Sequence, residues 1–375
     1  MAGIYIHIPF CRKVCFYCDF HFSVSIRNKK VMINCIAKEA EMQKYYLGGD
    51  RIKSIYFGGG TPSMLKTNEA EKILNSIYKN FDVDNNSEIT FEANPDDITL
   101  KYIEDLKNIG INRLSIGIQS FFDDDLHWMN RRHTAQQSFD SVIMSNEGGI
   151  DNINIDLIYG IPGMSNDKWK SNVENAFSLK IKHLSAYLLT IEPKTVFGHY
   201  LKKGIMEDVS EDTAIDHYIL LKKLASEKGF IQYEISNFAL PGFFSLHNQG
   251  YWKSKKYLGI GPSANSFDGI SRQWNIKNNS EYISSILKDK IPFNKEIPGK
   301  MEKYNDYILT SIRTMWGTDL ELIGNFYGED YKNYCASNAE QFIQKGYLTN
   351  KENKLILTGE GQLIADYITS SLFMT

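Results

Sequence analysis

Cys11, Cys15 and Cys18 stand as C-x-x-x-C-x-x-C inside HIPFCRKVCFYCDF, residues 7–20, close to the start of the chain. With 5 cysteines in 375 residues, chance would produce that spacing about 0.001 times per chain, so it asks for a chemical reading. Three thiols this close can form a disulfide, hold zinc, supply a nucleophile or carry an iron–sulfur cluster. Residues 1–10 lack the basic flank and long apolar run of a secretory signal, and no stretch approaches the 18 or so apolar residues of a membrane span. The expected location is therefore the cytoplasm, where reducing conditions favour a metal over a disulfide. Zinc generally takes four ligands, and His7 or His21 are the nearest candidates to complete such a set. Cys35 and Cys335 stand alone. Cys35 falls in an apparently helical run, 31–46, where a packed, inert thiol is expected. The formal net charge of -3 argues against a chain built mainly to grip nucleic acid.

Positioning these groups requires a scaffold, and the pattern is strand, loop and helix, repeated. GIYIHI (3–8), KSIYFGG (53–59), SEITFEAN (87–94), NRLSIGIQS (112–120), INIDLIYG (153–160) and HLSAYLL (183–189) are short runs rich in β-branched and aromatic residues. Segments such as 69–81, 100–110 and 169–180 carry apolar residues at helical spacing. Such alternation predicts an α/β fold with a parallel sheet covered by helices. Six units suit an open, partial (β/α)6 barrel better than a complete eight-stranded one, with a flat doubly wound sheet as the alternative.

On either sheet, ligands bind at the C-terminal ends of the strands, and the unusual residues fall there. The three cysteines follow the first strand. GGGTP (58–62) ends the second and leaves backbone N–H groups open to close approach. Glu92, Gln119 and Asp156 lie at or near the ends of the next three apolar strands, where convergent polar groups on rigid supports would build a pocket. Arg131, in WMNRRH, begins the next connecting helix region and can meet a carboxylate.

The cysteine spacing after the first strand, the aromatic Tyr17 before the last cysteine and the GGGTP turn together resemble the radical SAM superfamily. That resemblance implies a 4Fe-4S cluster on Cys11, Cys15 and Cys18, with S-adenosylmethionine (SAM) on the fourth, open iron. Reductive cleavage of SAM there yields a 5'-deoxyadenosyl radical. It further implies that Tyr5 and Tyr17 lie against the cofactor, that Gly59, Gly60 and Thr61 hold its methionine end, and that Glu92, Gln119, Arg131 and Asp156 line the rest of its pocket.

Over residues 3–275 the chain is most similar to the branch containing oxygen-independent coproporphyrinogen III dehydrogenase and related heme chaperones. IEPKTVFG (191–198), YEISNFA (233–239), SLHNQGYW (245–252) and YLGIGPSANSF (257–267) extend the likeness. HNQGYW resembles the H-N-x-x-Y-W segment of the heme chaperones. Phe20 stands where the dehydrogenase has a further cysteine, and only ten residues precede Cys11, so the dehydrogenase's N-terminal extension is expected to be absent. The implied function is heme binding and transfer to an apoprotein, with an electron donor if the cluster is reduced; the alternative is a radical enzyme acting on a porphyrinogen. A lone histidine beside two aromatics is ordinarily a packed core residue, but the resemblance makes His247 the expected axial ligand of heme. Asn265 replaces the family's usual histidine.

The expected division is a SAM barrel over 1–235, a connecting segment over 236–300 and a smaller, mainly helical module over 301–375. In the last, two helical segments lead into GYLTNKENKLILT, which reads as the two-stranded wing of a winged helix.

Overall fold

The computed structural model describes residues 2–375. Six strands, β1 (Ala2–Ile8), β2 (Ile52–Gly59), β3 (Val83–Ala93), β4 (Arg113–Gln119), β5 (Ile153–Tyr159) and β6 (His183–Leu188), lie side by side and parallel. Helices Lys29–Met42, Thr67–Asn80, Leu100–Asn108, Ala135–Glu147 and Asn166–Ser178 fill the successive crossovers. Local chemistry fixes several of their starts. Thr99, Ser165 and Ser210 each accept a hydrogen bond from an N–H in the first turn of the helix they precede, and Thr134 forms a reciprocal capping box with Gln137.

The alternation within the strands decides what the barrel holds. Ile4, Ile6, Ile8, Phe57, Phe91 and Leu157 are buried members of the main apolar core. The other parity carries Ser54 and Tyr56, then Glu88, Thr90 and Glu92, then Arg113 and Ser115, then Asn154 and Asp156, then Ser185. Strand register sets these in layers: Tyr56 pairs with Thr90 and Thr90 with Arg113, while Glu92 pairs with Ser115 and Ser115 with Asn154. The interior is therefore polar.

Beyond β1 the sheet gains a parallel strand, Tyr257–Ile260, then three antiparallel ones, Asn265–Phe267, Arg272–Asn275 and Phe293–Glu296. Beyond β6 it gains Asn237–Ala239 and Ile231–Gln232. The resulting twelve-stranded sheet is open among the described residues. Sequence periodicity did not anticipate these added strands. They are two to four residues long, too short to carry a period, and the pairings that join them to β1 and β6 are remote in the chain.

Glu39 locks one of these additions to the barrel. It is fully buried and accepts hydrogen bonds from Tyr282 Oη at 2.5 Å, Asn275 Nδ2 at 2.7 Å and the Gly261 N–H at 2.8 Å. Glu39→Ala strands three buried donors, so it is expected to lower stability at pH 7 by about 3 kcal/mol in urea unfolding. Burial raises the Glu39 pKa from 4.5 to about 7. The native state then binds the proton more tightly than the unfolded chain, and this group's contribution to stability falls as pH rises from 4.5 to 7. That slope is expected to disappear in Glu39→Ala.

The C-terminal module has its own apolar core, around Tyr304, Ile308, Phe342 and Ile368. Helix Lys300–Ser311, strand Thr318–Asp319, helices Leu320–Tyr327 and Glu329–Gln344, and a hairpin of Leu348–Lys351 with Lys354–Leu357 follow in order. Glu352 and Asn353 turn the hairpin at φ 51° and 62°, as a two-residue turn of this hand requires. The Met315 N–H donates to the Tyr233 carbonyl at 3.0 Å, and Lys253 Nζ lies 4.0 Å from the centre of the Trp316 ring, so the module is tied to the barrel by backbone and side chain.

Candidate cofactor cavity at the strand ends

A cavity of about 600 Å³ opens at the C-terminal ends of β1–β6, a volume suited to a small-molecule cofactor. Its walls bring together Cys11, Cys15, Cys18, Tyr17, Gly59, Gly60, Thr61, Glu92, Gln119, Arg131 and Asp156. Two predicted residues are not among them, Tyr5 and His247.

The thiol loop is held from several sides. The Cys11 N–H donates to the Ser23 carbonyl at 3.1 Å, Asn130 Nδ2 donates to the Val14 carbonyl at 2.7 Å, and the Phe16 N–H donates to the Met129 carbonyl at 3.1 Å. Thr61 Oγ1 reaches Cys11 Sγ at 3.3 Å and Arg131 Nη1 reaches Cys15 Sγ at 3.5 Å. Burial pushes the Cys11 thiol up to about 12 and the Cys18 thiol up to about 11, so a metal must displace their protons on binding. Among the described residues, no three Cys, His, Asp or Glu side chains are grouped so as to hold a metal ion. A single zinc therefore gains no support from this arrangement. A cluster makes a different demand, because each thiolate meets a separate iron. Three thiols on one cavity rim, two of them contacted by a hydroxyl and a guanidinium, fit that larger group.

The glycine turn is required sterically. Gly59 has φ 104°, and a Cβ there would stand 2.6 Å from the His7 ring; one on Gly60 would stand 2.7 Å from the Phe10 carbonyl oxygen. Farther in, Tyr56 Oη donates to Glu92 at 2.8 Å and Asn154 Nδ2 donates to Asp156 at 2.8 Å. Burial raises both carboxyl groups, Glu92 to about 8 with Asp156 adding to the effect. Arg131 opens no helix. It sits in the loop between helices Asp123–Trp128 and Ala135–Glu147, where Nη2 donates to Asn94 Oδ1 at 2.8 Å and to the Gly117 carbonyl at 2.6 Å.

Tyr56, Asn94, Arg113, Ser115, Asn154 and Ser185 also line this cavity, and reading the strand ends alone missed them. The signal was present. A parallel strand covered on both faces should be apolar at consecutive positions, whereas β3 to β6 carry polar residues at every second one.

Tyr5 lies behind Tyr56, its ring centroid 6.1 Å away, and its Oη meets His7 Nδ1 at 3.3 Å. His247, on helix Leu246–Trp252, is 3% exposed. Its Nδ1 bonds Ser54 Oγ at 2.9 Å, its Nε2 bonds Tyr251 Oη at 2.9 Å, and its ring stacks on Tyr56 at 5.0 Å. Burial lowers its pKa to about 3. In this conformation both ring nitrogens of His247 are engaged and it lines neither cavity. Its helix neighbours Asn248, Tyr251 and Trp252 instead line a second cavity of about 360 Å³, shared with Tyr187 and with Arg313 of the C-terminal module. Asn265 is exposed on its strand and lines neither.

The sequence pattern of the Radical SAM superfamily matches residues 5–176. The Heme chaperone HemW of Lactococcus lactis is 32% identical over 357 residues, covering 95% of this chain and 93% of the relative. That of Bacillus subtilis is 32% identical over 372 residues, covering 98% of each. The chain belongs to the HemW family of radical SAM proteins. Among solved structures, coproporphyrinogen III oxidase (HemN) from Escherichia coli superposes with a TM-score of 0.86 at 21% identity, covering 100% of this chain and 90% of that one. This likeness establishes the shared fold: an open partial barrel followed by a smaller, mainly helical module. The superfamily span, 5–176, holds all the cavity residues read from the sequence. HNQGYW and the C-terminal module lie beyond it, within the span of the HemW relatives.

Proposed function

We propose that this protein binds heme and delivers it to an acceptor apoprotein, and that it carries a 4Fe-4S cluster on Cys11, Cys15 and Cys18 with SAM at the open iron. The observation that carries this reading is near-full-length similarity to HemW chaperones, in a chain whose thiols and glycine turn share one cavity. When bound, the cluster supplies one-electron chemistry to SAM, and an electron donor is needed only if that chemistry is used. Gly59 and Gly60 offer backbone to the methionine end of SAM, Tyr17 covers it, and Glu92 and Asp156 accept from its hydroxyl or amino groups. Gln119 and Arg131 complete the wall.

His247 serves heme by coming free of Tyr251, since its Nε2 is otherwise occupied. Anaerobically reconstituted protein is expected to bind heme stoichiometrically, to pass it to an apoprotein and to leave coproporphyrinogen III unaltered. His247→Ala is expected to shift the heme absorption bands and to speed heme loss several-fold, with the cluster retained. Decarboxylation of coproporphyrinogen III without heme binding would replace this reading by that of a radical enzyme. An unchanged heme spectrum and off-rate in His247→Ala would assign the iron to another residue.

A further inference from the structure

Arg113 presents a guanidinium to the inner end of the large cavity, with its residue 1% exposed. A buried guanidinium ordinarily spends its donors on close acceptors. This one does not. Its Nε is buried without a hydrogen-bond partner, its Nη1 reaches Thr90 Oγ1 only at 3.5 Å, and the nearest carboxylate oxygen, on Glu88, is 3.9 Å from Nε.

Glu88 is committed elsewhere. It accepts from the Leu246 N–H at 2.9 Å, the His247 N–H at 3.1 Å and Ser245 Oγ at 3.2 Å, the donors that open the HNQGYW helix. Glu92, on the same wall, is raised by burial to about 8 and so gives up much of its negative charge near neutral pH, and burial raises the Asp156 carboxyl as well. The charge of Arg113 is therefore only partly balanced, and it faces enclosed space rather than bulk water.

We propose that Arg113 anchors an anion site at the inner end of the cavity, which receives one carboxylate group of a ligand entering past the thiols. A planar guanidinium matches a carboxylate with two parallel hydrogen bonds. Ser115, Ser185 and Asn248 line the same cavity and can contribute further contacts. A dianionic phosphate fits less well, because its second charge adds to repulsion by the Glu88 carboxylate, 3.9 Å from Arg113 Nε. The site is separate from the heme reading and from the cluster iron that takes the amino acid end of SAM. Because Glu88 touches both Arg113 and the first amides of the HNQGYW helix, filling the site is sensed at that helix.

The test uses full-length, cluster-reconstituted protein titrated with sodium propionate, against sodium chloride and sodium phosphate at matched ionic strength. Propionate is expected to raise the thermal unfolding midpoint saturably, as a ligand of the native state does, and to slow hydrogen exchange at the Leu246 and His247 amides at least twofold. Arg113→Gln is expected to abolish both responses. Arg113→Lys keeps the charge and loses the fork; it is expected to need at least tenfold more propionate and serves if the glutamine variant does not fold. Equal responses to propionate and chloride in the unmodified protein overturn the site. Saturation of Arg113→Lys at the unmodified concentration overturns the assignment to Arg113. An equal response to phosphate overturns the carboxylate class.

Discussion

Cys11→Ala, Cys15→Ala and Cys18→Ala are each expected to leave the protein with little or none of the iron and sulfide that the unmodified chain takes up on anaerobic reconstitution. The reason is ligand number. With three thiols on the cavity rim as the cluster's whole set of protein ligands, losing one leaves an iron without its thiolate. Cys35→Ala and Cys335→Ala are expected to keep full cluster content, because those thiols are at most 1% exposed inside the two apolar cores. Iron and sulfide analysis, with the visible absorption of the cluster, reads the result. Retention of a full cluster in any of the three rim variants, or uptake of one zinc in place of iron, would remove the radical SAM site from these residues.

SAM affinity is expected to drop about 10- to 100-fold in Glu92→Ala while cluster content stays unchanged. A charge-assisted hydrogen bond contributes roughly 1.5–3 kcal/mol, and 1.4 kcal/mol is about a factor of ten. Glu92 has the geometry for this, fixed by Tyr56 at 2.8 Å and facing the cavity. Its pKa adds a signature that packing alone would not give. Burial raises Glu92 to about 8, so near neutral pH the free protein holds it protonated. A ligand that donates hydrogen bonds to the carboxylate must first expel that proton. Affinity should therefore climb as pH rises through 8 and level off above it, and Glu92→Gln should lack the climb. Calorimetric titration of SAM across that range decides the matter. Equal affinity in Glu92→Ala, or the same pH profile in Glu92→Gln, would place the hydrogen-bonded end of SAM elsewhere.

His247 shows where residue type and spacing stop being enough. In sequence it is an imidazole shortly followed by two aromatics, Tyr251 and Trp252, in a segment that resembles a heme-chaperone motif. In the folded chain its two nitrogens are taken by Ser54, 193 positions away, and by Tyr251, one helical turn on. The Ser54 partnership arises because helix Leu246–Trp252 packs against β2 and is capped by Glu88 of β3. Neither contact leaves a trace in local sequence. Tyr5 is similar: its place behind Tyr56 follows from the pairing of β1 with β2.

The sequence by itself determined the grouping of the three thiols, the six central strands and the helices between them, because these depend on short-range spacing: three cysteines in one loop, apolar periods within a strand or helix, and a glycine turn directly after a strand. It also contained, unread, the polar parity of β3 to β6. Only the tertiary structure decided what that parity encloses. Strand register carries Arg113 beside Thr90, and Ser115 between Glu92 and Asn154, so residues scattered over a hundred positions become one cavity wall. The attachment of the short edge strands to the barrel, the Glu39 lock and the second cavity against Arg313 likewise exist only once distant segments meet. The physical reason is the same throughout: hydrogen bonds and burial between remote segments form only after the chain is compact, and no local period records them.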